Sequence, residues 1–193
     1  MGRLDQPIRS KLRATNANPN NPMPQPKILN VVLAGITHAD SLLLIKRRKP
    51  PYAGHWGLVG GKMEFGESVA QAAEREAREE TQLPAKFRRV KGVVNENLID
   101  DERIVGHFVI FVCLLVADHT DHEASDEGEL RWFTRDELAA NREHIIPTDY
   151  RMIETMLLRD EGDIPFAEAS MREDAGRYAV LRFDVQPPVH PEA

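Results

Sequence analysis

The chain has 193 residues, 41% hydrophobic and 29% charged, with a formal net charge of −6. That composition is ordinary for a soluble globular protein of one domain with extensions, and its sign gives no general attraction to nucleic acid or anionic membrane. No apolar run reaches the roughly 20 residues of a membrane span, and the single cysteine, Cys113, cannot close an intrachain disulfide, which fits a reducing, cytoplasmic setting.

Residues 1–26 read as a separate, flexible arm. Arg3, Arg9, Lys11 and Arg13 stand against Asp5, and Asn and Pro then dominate from Asn16 to Pro26, a composition that buries too little surface to fold alone. It lacks the hydrophobic core of a secretory signal; a transit peptide or a contact with a partner subunit are the other uses open to it. From Lys27 the pattern changes. Ile28 to Ile36 is rich in β-branched residues and predicts a strand, His38 to Ser41 a turn, and Leu42 to Arg47 a second strand, together a hairpin. Arg47, Arg48 and Lys49 cluster at its end before Pro50-Pro51. Such a cluster serves either as a phosphate contact or as a solvated charge run. The irregular approach that follows holds Tyr52, His55 and Trp56; the indole of Trp56 either stacks a base or fills the core.

Gly61 to Leu83, GKMEFGESVAQAAEREAREETQL, opens with glycine, passes Glu67 and enters a run without internal Pro or Gly. It predicts a loop delivering a helix, with Ser68 as N-cap. Glu76, Glu79 and Glu80 fall on one helical face, bordered by Val69, Ala70, Ala73 and Ala77. Three neighbouring carboxylates repel one another. Arg75 and Arg78 offset part of that repulsion, and a divalent cation with a preference for hard oxygen ligands offsets more; a solvated Glu/Arg face is the plainer reading.

Lys86 to Asn95 then predicts a strand, and Asn95 to Arg103 is polar, with Glu96, Asp100, Asp101 and Glu102. Ile104 to Ala117 predicts a buried strand holding Cys113 as a buried thiol and His107 as a core or edge histidine. An acidic loop, Asp118 to Glu129, leads to a short strand at Leu130 to Phe133 and a helix start with Thr134 as N-cap and Glu137 at the capping-box position. A last helix starts at Pro147 and spans Asp149 to Arg159, with Met152, Ile153, Met156 and Leu157 at helical spacing. Residues 160–176 are mixed and polar. Arg177 to Val185 alternates like a strand that Pro187-Pro188 ends.

The stretch from Gly61 to Leu83 resembles the box of the Nudix hydrolase family, matching it at Gly61, Glu67, Arg75-Glu76, Glu79-Glu80 and Leu83. Ala77 is a weak version of an apolar position, Gln82 stands where the family has a helix-closing glycine, and Val59 stands where proline is common ahead of the box. The resemblance implies an α/β/α sandwich with a mixed sheet and the box helix packed on it. It also implies a division into an arm (1–26), a Nudix domain (27–160) and an extension (161–193) with one strand, which either caps the sheet or exchanges with a second subunit in a homodimer. By the same resemblance Glu76, Glu79 and Glu80 are ligands to Mg²⁺, with Mn²⁺ as a substitute. The Gly61 carbonyl is often among the ligands, and Glu67 and Arg75 orient them. Some members add a carboxylate from the later acidic loop, for which Glu127 and Asp126 are the candidates. Apart from the resemblance, which gives no support at those positions, Arg47, Arg48 and Lys62 are candidate phosphate contacts, and Trp56 is a candidate substrate contact through its ring. The implied reaction is metal-dependent hydrolysis of a phosphoanhydride in a nucleotide small molecule. The stretch Arg47 to Trp56 is similar to that of ADP-ribose pyrophosphatase-like members, although Leu98 stands near the position where that subgroup has proline. Alternatives are a nucleoside triphosphate as substrate, or a module that binds a nucleotide metabolite without cutting it.

Overall fold

The computed structural model describes residues 27–122, 126, 128–159 and 164–186. Strand β1 (Ile28–His38) turns through Ala39 and Asp40 into β2 (Ser41–Arg47), as the pattern predicts. The short strands β3 (Trp56–Gly57) and β4 (Val59–Lys62) lead to helix α1 (Val69–Thr81). Strands β5 (Lys86–Asp100), β6 (Arg103–Val116) and β7 (Gly128–Thr134) follow, then helices α2 (Arg135–Ala140) and α3 (Pro147–Met152), and finally β8 (Phe166–Asp174) and β9 (Arg177–Gln186). Among the described residues the strands form one mixed sheet in the order β3-β2-β1-β6-β5-β8-β9, with β4 on β1 and β7 on β2. The parallel pairs are β1 with β6 and β5 with β8. No helix among the described residues is long and apolar enough to cross a membrane.

Alternation along the central strands sends side chains to two cores. Val32, Ala34, Leu43, Val59, Cys113 and Leu115 face α1 and pack on Ala72, Ala73 and Ala77. Leu42, Leu44, Leu58, Ile110 and Val112 face the other way, onto α3 and a π-type turn at Ile153–Leu157. Helices therefore cover both faces, giving the α/β/α layering. Cys113 is fully buried and its thiol is pushed up to about 12 by loss of hydration, so it is packing rather than chemistry.

Two stretches differ from the sequence expectation. The strand expected to end at Asn95 continues through the polar run: β5 and β6 pair as far as Asp100 and Arg103 and turn at Asp101 and Glu102. Their polarity alternates with Val94 and Leu98, which keep the core side. The C-terminal extension holds two strands rather than one, and β8 joins the sheet along β5, burying Ala167, Ala169 and Met171.

Both ends of α1 are capped. Ser68 accepts from the Gln71 N–H while Gln71 reaches back to the Ser68 N–H, a reciprocal box. At the other end Gln82 takes the left-handed conformation, φ 59°, and donates its N–H to the Arg78 carbonyl. The helix thus ends as it would with glycine, with a side chain held where Cβ is disfavoured. Gln82 is exposed, so Gln82→Gly is expected to stabilise the fold by about 1 kcal/mol, read as a higher urea midpoint with an unchanged slope.

Candidate active site

The box side chains sit where α1 meets β4. Glu76 shares a helical stripe with Ala72 and Ala73, so it is buried with them against the sheet. Its carboxylate reaches the backbone at Gly61, where an added Cβ would lie 2.7 Å from both carboxylate oxygens. Gly60, next to it, has φ 149° and sits against the Val32 carbonyl of β1. These two glycines let the strand, the helix and a carboxylate meet without side chains between them.

Arg75 binds the acids together. Its Nε and Nη2 donate to the two oxygens of Glu67 at 2.7 and 3.0 Å, and Nη1 donates to Glu76 at 2.9 Å and Glu79 at 3.1 Å. Nη2 also donates to the Lys62 carbonyl. This fork geometry suits guanidinium and not ammonium. The Arg75 guanidinium and the Glu64 N–H hold the Glu67 carboxyl down at about 2. Burial pushes the Glu76 carboxyl above its ordinary range, and Arg75 offsets only part of that. Glu80 accepts from the Gly60 N–H at 3.1 Å.

The three expected ligands therefore do not share one patch. Glu76 is turned into the helix–strand seam, Glu79 is 60% exposed and held by Arg75, and Glu80 is on the Gly60 amide. Among the described residues no three metal-ligating side chains converge at ligand spacing. The donor set nonetheless suits a hard cation: oxygens only, three carboxylates around one guanidinium with a fourth, Glu80, on the Gly60 amide, and the Glu76 carboxyl disfavoured as an anion by burial.

The other candidates separate. Lys62 is exposed and enters the cluster through its carbonyl. Trp56 is 6% exposed, its ring set edge-on to Phe133 at 5.0 Å, so it fills the core and is closed to stacking on a base. Arg48 is exposed at the end of β2. Arg47 donates to the Pro51 carbonyl, and its charge acts on Tyr52 and Asp149 rather than on the box. Asp126 is exposed, and Glu127 lies outside the described residues.

A family model for the Nudix domain matches residues 26–156. The chain belongs to the Nudix hydrolase family. It is 35% identical over 100 residues to an ADP-ribose pyrophosphatase of Methanocaldococcus jannaschii, a match covering 51% of this chain and 57% of that protein. It is 29% identical over 114 residues to an oxidized purine nucleoside triphosphate hydrolase of Danio rerio, covering 58% and 69%. Among solved structures, a MutT protein of Bacillus halodurans superposes with a TM-score of 0.64 at 25% identity, over 84% of this chain and all of that one. The mixed sheet with few helices is thus the Nudix fold.

A second polar centre lies on the opposite face. Asp149, near the start of α3, is buried and accepts from the Leu58 N–H at 2.8 Å. Glu96 of β5 is 4% exposed. Burial pushes Asp149 up to about 6 and Glu96 up to about 7, the latter helped by the neighbouring Asp149. The signal in sequence is parity: Val94, Glu96 and Leu98 share one side of a strand, so a carboxylate stands on the core side.

Two outcomes follow from these contacts. Gly60→Ala drives Cβ into the Val32 carbonyl and is expected to cost roughly 3 kcal/mol or more, whereas Gly61→Ala displaces only the end of Glu76 and costs about 1–2 kcal/mol; urea unfolding of the pair gives the order. Because the folded pKa of Glu96 is raised, its neutral form is fully favourable below about 4.5 and the stability is lost as pH rises through about 7. That loss is on the order of 3 kcal/mol. Denaturant midpoints between about pH 5 and pH 8 should fall, and less steeply in Glu96→Gln; equal slopes would remove burial of Glu96 as the cause.

Proposed function

We propose that this chain hydrolyses a phosphoanhydride bond in a nucleoside diphosphate derivative, with Mg²⁺ bound by Glu76, Glu79 and Glu80 and by the Gly61 carbonyl. The single observation that carries this reading is the seat of the buried Glu76 carboxylate on the Gly61 backbone, fixed by the Arg75 fork. A largely dehydrated carboxylate with only part of its charge offset favours a hard cation beside it. When bound, the metal supplies neutralisation of phosphate charge and a more acidic water.

The chain's own residues supply position. Arg75 holds Glu67 and Glu76 at fixed orientation, as second-layer partners do in metal sites. Gly61 leaves no Cβ between its backbone and the Glu76 carboxylate. Lys62, exposed next to the box residues, is on this reading a contact to a phosphate oxygen.

For the substrate, the similarity of Arg47 to Trp56 to ADP-ribose pyrophosphatase-like sequences and the 35% identity to the archaeal enzyme support ADP-ribose or a nucleotide sugar. A nucleoside triphosphate is the second reading, supported by the relative from Danio rerio, more of whose length is matched.

Chromatographic product analysis of ADP-ribose, nucleotide sugars and nucleoside triphosphates, with and without Mg²⁺, tests the activity. Absence of magnesium-dependent cleavage across the panel would leave a binding module in its place. Glu79→Gln and Glu80→Gln remove ligand charge at nearly constant volume. Each is expected to lower kcat by about 100-fold at limiting Mg²⁺, a loss of roughly 2.7 kcal/mol in transition-state stabilisation.

A further inference from the structure

The two ends of the strand order differ. One end is β3, two residues long, and the other is β9, ten residues from Arg177 to Gln186. Among the described residues β9 pairs with β8 alone. Its outer row of N–H and C=O groups is a template for another strand. Lys and Pro are common guards of such an edge, and β9 contains neither.

Alternation sorts the side chains of this edge. The ladder slips by one residue where Ser170 and Met171 pair with Arg182 and Val180, which makes Leu181 an extra residue. Beyond it, Phe183 and Val185 stand opposite the buried Ala169 and Ala167, on the side of the sheet that carries α3. Arg182 and Asp184 stand opposite Ser170 and Glu168, on the other side. Leu181 and Val185 are exposed although apolar. Arg182 and Asp184 are exposed as well, and the Arg182 Nε donates to Asp184 Oδ2 at 2.6 Å, a bond that uses one nitrogen of the fork. Asp184 is the direct neighbour of Glu168 across the ladder, so two acids lie side by side and a further cation there is favourable.

A two-fold axis perpendicular to the sheet sets one β9 antiparallel to a second β9. Residues that meet across such a pair point to the same side of the sheet. With Phe183 on the axis, Arg182 meets Asp184 of the second copy and Leu181 meets its Val185, and the symmetry repeats both contacts. With Arg182 or Asp184 on the axis instead, like charges stand directly opposite, which is destabilising. The strand is thus complementary to itself, in charge and in apolar surface, about one residue.

We infer that β9 is a homodimer interface, through which two copies of this chain join their sheets edge to edge in antiparallel register about Phe183. The extension caps the sheet of its own chain through β8 and presents β9 to the second copy. A contact of one strand from each side falls at or below the small end of specific interfaces, about 1,200 Å² in total, so the dimer is reversible and concentration-dependent. Strands β6, β5 and β8 stand between β9 and the β1–β4 pair beside the box. The inference is therefore independent of the hydrolase reading.

Sedimentation velocity of the full chain over a concentration series tests it. The wild type is expected to pass from monomer to dimer as concentration rises. Arg182→Asp and Asp184→Arg each set like charges opposite at two symmetric places and are expected to raise the dimer dissociation constant by about tenfold. The double reversal is expected to return it to within about threefold of the wild type. Disulfide trapping reads the register, since the native Cys113 is fully buried. An equimolar mixture of Leu181→Cys and Val185→Cys chains is expected to cross-link between the two variants under mild oxidation. Either variant alone is not, because its two cysteines are offset by about 14 Å along the strands, beyond the reach of a disulfide. Both cysteines replace exposed side chains, so trapping decides if a charge reversal fails to fold. A chain that stays monomeric throughout overturns the inference. So does a dimer indifferent to the single reversals or not restored by the double one, and so does a mixture that cross-links no better than either variant alone.

Discussion

One guanidinium holds the acidic half of this site together. Arg75 spends its donors on Glu67, Glu76, Glu79 and the Lys62 carbonyl, and in doing so ties the loop before α1, the helix itself and the end of β4 into one unit. Without it, carboxylates brought together by the helix would repel one another across a partly dehydrated seam. The buried member, Glu76, depends on it most, because burial raises its carboxyl while Arg75 draws it back.

That arrangement needs close packing between helix and strand. Ala72, Ala73 and Ala77 make the face of α1 thin enough to lie near β1 and β4, and Gly60 and Gly61 remove the side chains that would hold the strand away. β1 is the common partner: antiparallel to β4 along Val31–Ala34 and parallel to β6 along nearly its whole length. The left-handed Gln82 shows that the geometry of the helix end is set by the chain's need to turn toward Leu83, which is fully buried, and not by the residue's own preference.

The molecule has a second polar centre that is organised differently. Around Glu96 and Asp149 there is no fork of charge; burial dominates and both carboxyls shift upward. Its parts come from β5, α3, the loop after β2 and the C-terminal hairpin, elements far apart in sequence. Met171 of β8 packs with Leu98 and Ile146 beside it, so the C-terminal hairpin borders this centre.

The sequence alone determined the elements whose signals are local. The β-branched content of Ile28 to Ile36, the apolar run to Ala117 and the caps at Ser68 and Thr134 act locally along the chain, and the structure agrees with each. The tertiary structure decided what depends on who faces whom. Glu76, Glu79 and Glu80 lie on neighbouring helix positions, but the sheet buries the first, leaves the second in solvent and offers the third a backbone amide. Trp56 carries the same ring whether it meets a base or Phe133, and only the packing of β3 against the second core chose between them. Asn95 to Arg103 reads as polar because its outward residues are polar, while the inward Val94, Glu96 and Leu98 make it a strand. Helical and strand periods are properties of the chain, whereas burial and hydrogen-bond partners are properties of surfaces that exist only after distant segments have met.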